Sequence, residues 1–426
     1  MPLRITSASP ESFVHVYVWL PQICVLFANK PNNKLILCHC QEPKQMIEPF
    51  TIKVDDCILT DLNYRLSQTR WPDQVGSPWH YGTDSQYLKS LVNYWQQDFS
   101  WRKQEALLNQ FDHFTALIQG RKLHFIHQKS SHSNAIPLLM THGWPGSISE
   151  FIKIIPQLTQ PERFGGNSSD AFHVICPSIA GYGFSAAPVS PGFDQKQAAL
   201  QHIELMQLLG YEKYVVQGGD WGSAISSWTA RLAPEAVLAL HLTLIFAPYP
   251  SALEDAFAGV TDVEKKHLQT SRIRMKEGTG YQAIQSTKPQ TLGFGLNDSP
   301  TGLAAWITEK FQHWMDCDGD LESVITKDEL LTNIMIYWVS QSITSSMRLY
   351  FESSHMKSDL FAAGRIETPT GHTVFPGELY LPPRAWAEQL YNIQHWTEQP
   401  KGGHFAALEQ PELLSEDLRL FFRQYR

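Results

Sequence analysis

The sequence predicts an α/β fold with a mostly parallel sheet covered by helices, a helical insertion and a helical segment before the sheet. Strand-like and helix-like stretches alternate from about residue 136, and this rhythm stops near residue 248 and returns after residue 353. The intervening part is helical and aromatic, and an amphipathic helical pattern precedes the sheet. We therefore expect a leader (1–45), an N-terminal wrapping segment (46–130), a core (131–247 and 354–426) and a lid (248–353).

Composition excludes several classes of function. The chain has 426 residues, of which 43% are hydrophobic, as in ordinary globular proteins. Its net charge of -8 argues against nucleic-acid binding, which needs a basic face. The six cysteines lack the paired spacing of a zinc site or a disulfide framework. We expect reduced thiols in the cytoplasm, and neither a metal nor an organic cofactor.

The leader contains one apolar stretch, FVHVYVWLPQICVLFA at 13–28, interrupted by Pro21 and Gln22. It is shorter than the roughly 20 residues that a spanning helix needs, and its flanks do not fit a signal peptide. We expect either a leader without fixed structure or a start codon assigned upstream of Met46. Association with a membrane surface is the alternative.

The wrapping segment shows apolar residues at helical spacing. One face carries Ile58, Leu59, Leu62 and Leu66, and a second pattern carries Leu88, Leu91, Val92 and Trp95. The helical pattern extends to about residue 117, where RKLHFIHQ begins to alternate like a strand.

The core segments alternate in type. AIPLLMTHG, FHVICPSIAGYGFS and KYVVQGGD are predicted strands, while QKQAALQHIELMQLLG and WGSAISSWTARLA are predicted helices. Strands return in TPTGHTVFPGE and NIQHWTEQPKGGH, and the helix PELLSEDLRLFFRQ ends the chain. Ligands of such sheets bind at the carboxyl ends of the strands, where we expect the insertion to form a cover.

Asp220 lies between glycines in VVQGGDWGS, where a strand gives way to a helix. Many hydrolases place a nucleophilic serine in such a turn. An N-cap aspartate is the simpler interpretation, but a cap does not need flanking glycines. We therefore predict that Asp220 projects above the sheet as a nucleophile, with the backbone N–H of Trp221 beside it.

The motif HGWPGS follows a buried strand and predicts a second backbone donor, the N–H of Trp144. Two such donors form an oxyanion hole, in which one donor contributes about 3–4 kcal/mol to transition-state binding. A plain strand-to-helix turn would also use the glycine and proline, and both interpretations are compatible.

His404 in KGGHFAALEQP follows a predicted strand and is the predicted base. The order nucleophile, acid, base places the acid before it, and Glu378 in TVFPGELY follows a strand end. Its rivals are Asp359, Glu367 and Glu388. Asp359 and Glu367 precede the strand, and Glu388 lies in a helical stretch, so we prefer Glu378.

A carboxylate nucleophile suits an epoxide or a carbon–halogen bond, because attack at carbon leaves an ester that histidine-activated water then cleaves. Epoxide opening also needs a donor to the leaving oxygen, for which a neutral tyrosine is suitable. The lid offers Tyr281, Tyr337 and Tyr350, and spacing alone does not choose among them.

From about Glu48 to the C-terminus the chain resembles the microsomal-type epoxide hydrolases, which have the α/β-hydrolase fold with an extra N-terminal segment. The ordered motifs that carry the resemblance are PFTIKV, TRWPD, HGWPGS, AGYGFS, GGDWGS, STKPQTLGFGLNDSP, YWVSQSITSSMRLY, FPGELYLPPRAW and GGHFAALEQP. The resemblance implies Asp220 as nucleophile, His404 as base and Glu378 as acid, where some relatives have Asp. It also implies Tyr281 and Tyr350 as the phenol donors, with Trp144 and Trp221 as backbone donors.

The expected activity is hydrolysis of a small-molecule epoxide to a vicinal diol. A dehalogenase with the same triad, or an inactive hydrolase-like binding protein, are the alternatives. A homodimer is compatible with the aromatic composition, but the sequence does not determine the oligomeric state.

Overall fold

A computed structural model describes residues 19–20, 23–26, 36–38, 47–251 and 254–426. The chain forms two units, 1–46 and 47–426. In the first, β1 (Trp19–Leu20), β2 (Ile23–Leu26) and β3 (Ile36–Cys38) form a small antiparallel sheet. The rest of the predicted leader lies outside the described residues, so the interpretation of 13–28 remains a prediction. In the described residues, no helix combines the length and apolar character needed to cross a membrane.

The second unit is built on a nine-stranded sheet. Its strands are β4 (Ile47–Pro49), β5 (His113–Ile118), β6 (Arg121–Gln128), β7 (Ile136–Thr141), β8 (Phe172–Pro177), β9 (Tyr214–Gly218), β10 (Val237–Leu242), β11 (Ile366–Val374) and β12 (Tyr391–Glu398). They lie in the order β12-β11-β10-β9-β7-β8-β6-β5-β4. The strands from β12 to β8 are parallel, and β6, β5 and β4 continue the sheet antiparallel. The predicted α/β class with a mostly parallel sheet is confirmed.

Helices cover both the sheet and its carboxyl edge. Before and within the core lie α1 (Asp56–Ser67), α2 (Ser85–Gln97), α3 (Trp101–Leu108), α4 (Ile154–Thr159), α5 (Gln195–Leu208) and α6 (Asp220–Leu232). The insertion after β10 holds α7 (Asp262–Gly278), α8 (Gly280–Thr287), α9 (Pro289–Asp298), α10 (Pro300–Trp314), α11 (Lys327–Ser340) and α12 (Ile343–His355). The chain ends with α13 (Arg384–Leu390), α14 (Ala406–Glu409) and α15 (Pro411–Phe422).

The central strands are apolar along their length because both faces are covered. Leu138, Leu139 and Met140 of β7 are at most 1% exposed, as are Val215 and Val216 of β9. This pattern is typical of a parallel sheet between helical layers. The buried sheet fixes the strand ends on which the site is built.

The predicted helix that ran to residue 117 is wrong from His113 onward. His113–Ile118 is β5, which pairs antiparallel with β6, and Ile118 lies opposite Arg121. Gln119 and Gly120 between them have φ values of 50° and 73°, as a tight two-residue hairpin requires. The short run FTALI gains more from pairing with β6 than from continuing α3, which ends at Leu108.

The N-terminal helices contact the lid. Helices α1 and α2 pack on α10, and α2 and α3 pack on α11. The Thr83 hydroxyl donates to the Ala305 carbonyl at 2.7 Å, and the Tyr94 hydroxyl donates to Asp328 at 2.9 Å. The segment therefore supports the insertion as well as extending the sheet.

Candidate active site

Asp220 lies in a sharp turn between β9 and α6 and has a φ of 47°, in the left-handed region. Such a conformation is strained for a residue with a side chain, and it occurs at functional turns of this type. The turn packs tightly against the end of β7, since a Cβ at Gly222 would lie 1.8 Å from the Thr141 carbonyl oxygen. The Asp220 carboxylate is 19% exposed and so remains accessible.

The HGWPGS loop after β7 supplies the first backbone donor. The Trp144 N–H donates to Asp220 Oδ1 at 2.7 Å. Gly143 makes this approach feasible, because a Cβ there would lie 2.3 Å from Asp220 Cβ. Among the described residues, we find no hydrogen bond from the Trp221 N–H to Asp220, so the second donor remains a prediction.

His404 lies between two carboxylates. Its Nε2 is 3.4 Å from Asp220 Oδ2, and its Nδ1 is 2.7 Å from Glu378 Oε1. The Leu379 N–H also donates to Glu378 Oε1, at 2.5 Å, which fixes this carboxylate. The three side chains thus form one line of polar contacts that ends at the strand-tip aspartate.

The other acid candidates have different partners. Glu367 pairs with Arg365, Glu388 pairs with Arg384, and Asp359 accepts from the Phe361 N–H. Glu378 is the one of the four candidates that contacts His404 in the described structure.

The two carboxylates control the charge on His404. Burial lowers its pKa, but Glu378 and Asp220 outweigh burial and raise the pKa well above the usual 6.5. Esterification of Asp220 would remove one of these charges, and the pKa of His404 would then fall.

Two of the lid tyrosines belong to an aromatic cluster above Asp220. The Tyr281 ring stacks on Trp144 with centroids 5.1 Å apart, and the Tyr350 ring lies 4.7 Å from that of Trp221. Burial, followed by the charge of Asp220, raises the pKa of Tyr281, and burial also raises that of Tyr350, so both phenols stay neutral. Tyr337 instead donates to the Gly146 carbonyl at 2.7 Å, which is a structural contact.

Sequence analysis missed three ionisable residues around this centre. Lys310, only 5% exposed, has its Nζ 4.7 Å from the centroid of the Tyr281 ring. Glu409 accepts from the backbone N–H groups on both sides of His404. Glu150 lines a cavity beside Asp220 and His404. The two glutamates lie within or just after quoted motifs, but spacing alone did not show that they face the triad.

The described residues contain no group of three or more His, Cys, Asp or Glu side chains arranged to hold a metal ion. The chemistry that the arrangement supports directly is nucleophilic attack by a carboxylate, with a histidine base and two phenol donors.

Comparison with known proteins gives the same result. Residues 47–151 match the family model "Epoxide hydrolase N terminus", and residues 136–265 match the alpha/beta hydrolase fold. The chain is 42% identical to epoxide hydrolase 1 of Sus scrofa, over 88% of each chain. The juvenile hormone epoxide hydrolase of Bombyx mori superposes with a TM-score of 0.82 at 34% identity, covering 90% of this chain and 96% of that one. The epoxide hydrolase of Aspergillus niger gives 0.78 at 30% identity, covering 89% and 96%.

Sequence identity of this extent, over nearly the whole length of the relatives and with the same fold, identifies the family. The chain belongs to the epoxide hydrolases of the microsomal type.

Proposed function

We propose that the protein converts a small-molecule epoxide and water to a vicinal diol through a covalent ester on Asp220. The observation that carries the proposal is the line of contacts from Glu378 through His404 to Asp220, below two buried neutral tyrosines. The family relationship supports epoxides as the substrate class.

In the first step Asp220 attacks an epoxide carbon. Oδ1 is held by the Trp144 N–H, which leaves Oδ2 to form the new bond to carbon. The carbon–oxygen bond of the ring breaks, and the oxygen takes a proton from Tyr281 or Tyr350. An alkoxide is a stronger base than a phenolate, so this transfer is favourable even though the phenol pKa values are raised.

In the second step water attacks Cγ of the Asp220 ester. His404 Nε2 takes a proton from the water, and Glu378 stabilises the imidazolium that forms. The oxyanion develops on Oδ1, beside the Trp144 N–H. The bond from Cγ to the alkoxy oxygen then breaks, and this oxygen takes the proton from His404, which releases the diol. The second proton of the water restores the tyrosine phenolate, and one water-derived oxygen stays on Asp220.

Asp220→Asn tests the nucleophile. We expect loss of both diol formation and the covalent adduct, measured with styrene oxide by product analysis and intact-protein mass. Single turnovers of the wild type in ¹⁸O-water should label the Asp220 carboxylate. An adduct and turnover that survive in Asp220→Asn would refute the proposal.

Dehalogenation is the second candidate, and one observation favours it. The indole N–H groups of Trp144 and Trp221 are buried without a hydrogen-bond partner in the described structure, as donors to a leaving halide would be. The discriminating variant is Tyr281→Phe with Tyr350→Phe. An epoxide hydrolase should lose most of its diol formation, whereas a dehalogenase should keep releasing halide from a haloalkane.

A further inference from the structure

A cavity of about 20 Å³, which has room for a single water molecule, adjoins Asp220 and His404 on the core side of the site. Its lining residues all fall within 141–243 or 404–414, and none belongs to the lid. The tyrosines that would receive the epoxide oxygen therefore do not line it. The cavity thus lies at the nucleophile on the side away from these tyrosines, and it shares Trp144 with the aromatic cluster.

Two residues that line the cavity each have a buried side-chain oxygen without a hydrogen-bond partner in the described structure. The two atoms are Oε1 of Glu150 and Oε1 of Gln217. A buried unpaired oxygen costs about 1–3 kcal/mol, and a bound water that donates to it would remove this cost. Thr141 and Thr243 also line the cavity, which makes it polar enough for water.

The loop that leads to Glu150 is anchored to the helical insertion. Glu150 lies in the short 3₁₀ helix Ile148–Phe151, which follows the HGWPGS loop. Asn333 of α11 donates to the Pro145 carbonyl at 2.7 Å and accepts from the Ser147 hydroxyl at 2.8 Å. The carboxyl packs directly over Gly146, because a Cβ there would lie 1.3 Å from Glu150 Oε1.

The charges of the triad reach Glu150. Burial raises the pKa of its carboxyl to about 8, His404 opposes this rise, and Asp220 adds to it. The carboxyl is therefore largely neutral at pH 7, in a form that an amide side chain imitates.

We propose that Glu150, aided by Gln217, binds the water molecule that hydrolyses the Asp220 ester. A water held for attack gives one hydrogen to His404 Nε2 and the other to Glu150 Oε1, which leaves a lone pair for Cγ of Asp220. The water oxygen bonds to Cγ and one of its protons passes to His404, which gives it to the alkoxy oxygen as the ester bond breaks. The second proton stays on the new carboxyl oxygen until it passes to the tyrosine phenolate left by the first step. This role rests on the ester mechanism proposed above.

The test measures the two steps separately. With saturating styrene oxide, rapid quenching and intact-protein mass give the rates at which the adduct forms and disappears. Glu150→Ala should slow disappearance by about 10- to 100-fold, as misplacement of a reactant does. Formation should stay within about threefold of the wild type, so the adduct accumulates.

Glu150→Gln keeps an acceptor oxygen and should hydrolyse the ester within about tenfold of the wild-type rate. Gly146→Ala leaves Glu150 intact but displaces its carboxyl, and should reproduce the Ala phenotype even if Glu150→Ala fails to fold. The matched control is Glu162→Gln, because Glu162 is on the surface and pairs with His132.

Unchanged ester hydrolysis in Glu150→Ala and Gly146→Ala would overturn the assignment, as would equal slowing of both steps. Absence of any adduct in the wild type would instead mean that the ester mechanism itself is wrong. The two failures are therefore distinguishable in one experiment.

Discussion

At the scale of single residues, one proton on His404 links the two half-reactions of the proposed mechanism. Two carboxylates hold that proton in the free enzyme, and ester formation neutralises one of them, Asp220. His404 is thereby released to act as a base only after Asp220 has reacted. The sequence was sufficient to select His404 and Glu378 by their order along the chain, but this dependence on charge comes from the distances.

Glu378→Gln tests the control of His404. Glu378 raises the pKa of His404, so its replacement by an uncharged amide should lower that pKa and move the acidic limb of ester hydrolysis to lower pH. The rate on the plateau should fall by about 10²- to 10⁴-fold, because the amide no longer stabilises the imidazolium. Single-turnover decay of the adduct between pH 5 and 9 measures both effects.

Glu378→Asp is the matched control, since it keeps the charge. The acidic limb of its pH–rate profile should stay near that of the wild type. Any change in rate should reflect only the shorter side chain of aspartate. If the acidic limb of the pH–rate profile does not shift in Glu378→Gln, then Glu378 does not set the pKa of His404.

At the scale of elements, the turns were easier to predict than the segments that join them. The glycines around Asp220 and the HGWPGS loop indicate their geometry directly, because close approach of backbones excludes side chains. The strand β5 was missed because FTALI is too short for its periodicity to distinguish strand from helix. Its identity depends on pairing with β6, which no local pattern contains.

The loop that carries His404 depends on one buried carboxylate. Glu409 accepts from the N–H groups of Gly403 at 2.9 Å, Phe405 at 2.8 Å and Asp316 at 2.9 Å. Burial raises the pKa of Glu409 to about 7, despite these bonds. It is a positioning residue for His404, joining the loop to the end of α10.

Glu409→Gln should disturb this loop, because its amide nitrogen would face a backbone donor. We expect ester hydrolysis to slow by about tenfold or more while ester formation changes little. Quench-flow measurement of adduct decay tests this, with Glu412→Gln on the next turn as the control. Equal loss of both rates would indicate general disruption of the fold instead of positioning.

At the scale of the whole molecule, the alternation of strands and helices was enough to predict the class of fold and the helical insertion. The contacts between α1–α3 and the lid were not predictable, since they join residues more than 200 positions apart, as with Tyr94 and Asp328.

A second long-range network ties the terminal helix to the sheet. Asp417 of α15 accepts from His395 and Thr397 of β12 at 2.8 and 2.7 Å, and from His241 of β10 at 3.1 Å.

Asp417→Ala should lower the free energy of unfolding by about 3 kcal/mol, because several buried donors lose their acceptor. Burial opposes the charge on Asp417, but the bonds from His241 and His395 outweigh it and hold its pKa well below the usual value. Its stabilisation is therefore present above the unfolded pKa of about 3.9 and is lost as the pH falls.

Urea unfolding of the wild type and Asp417→Asn at several pH values checks this sign. The difference between them should be largest near neutrality and shrink below about pH 4, where the unfolded wild type binds a proton on Asp417 that the folded wild type does not. A constant difference across this range would contradict the assigned role.

The bonds that join Thr83 and Tyr94 to the insertion have a consequence for substrate choice. A lid that is held by bonds from outside the core does not change its shape to fit each substrate. Bulkier epoxides would then be accommodated by replacing aromatic side chains of the site with smaller ones. Weakening the bonds that hold the lid would bring little gain.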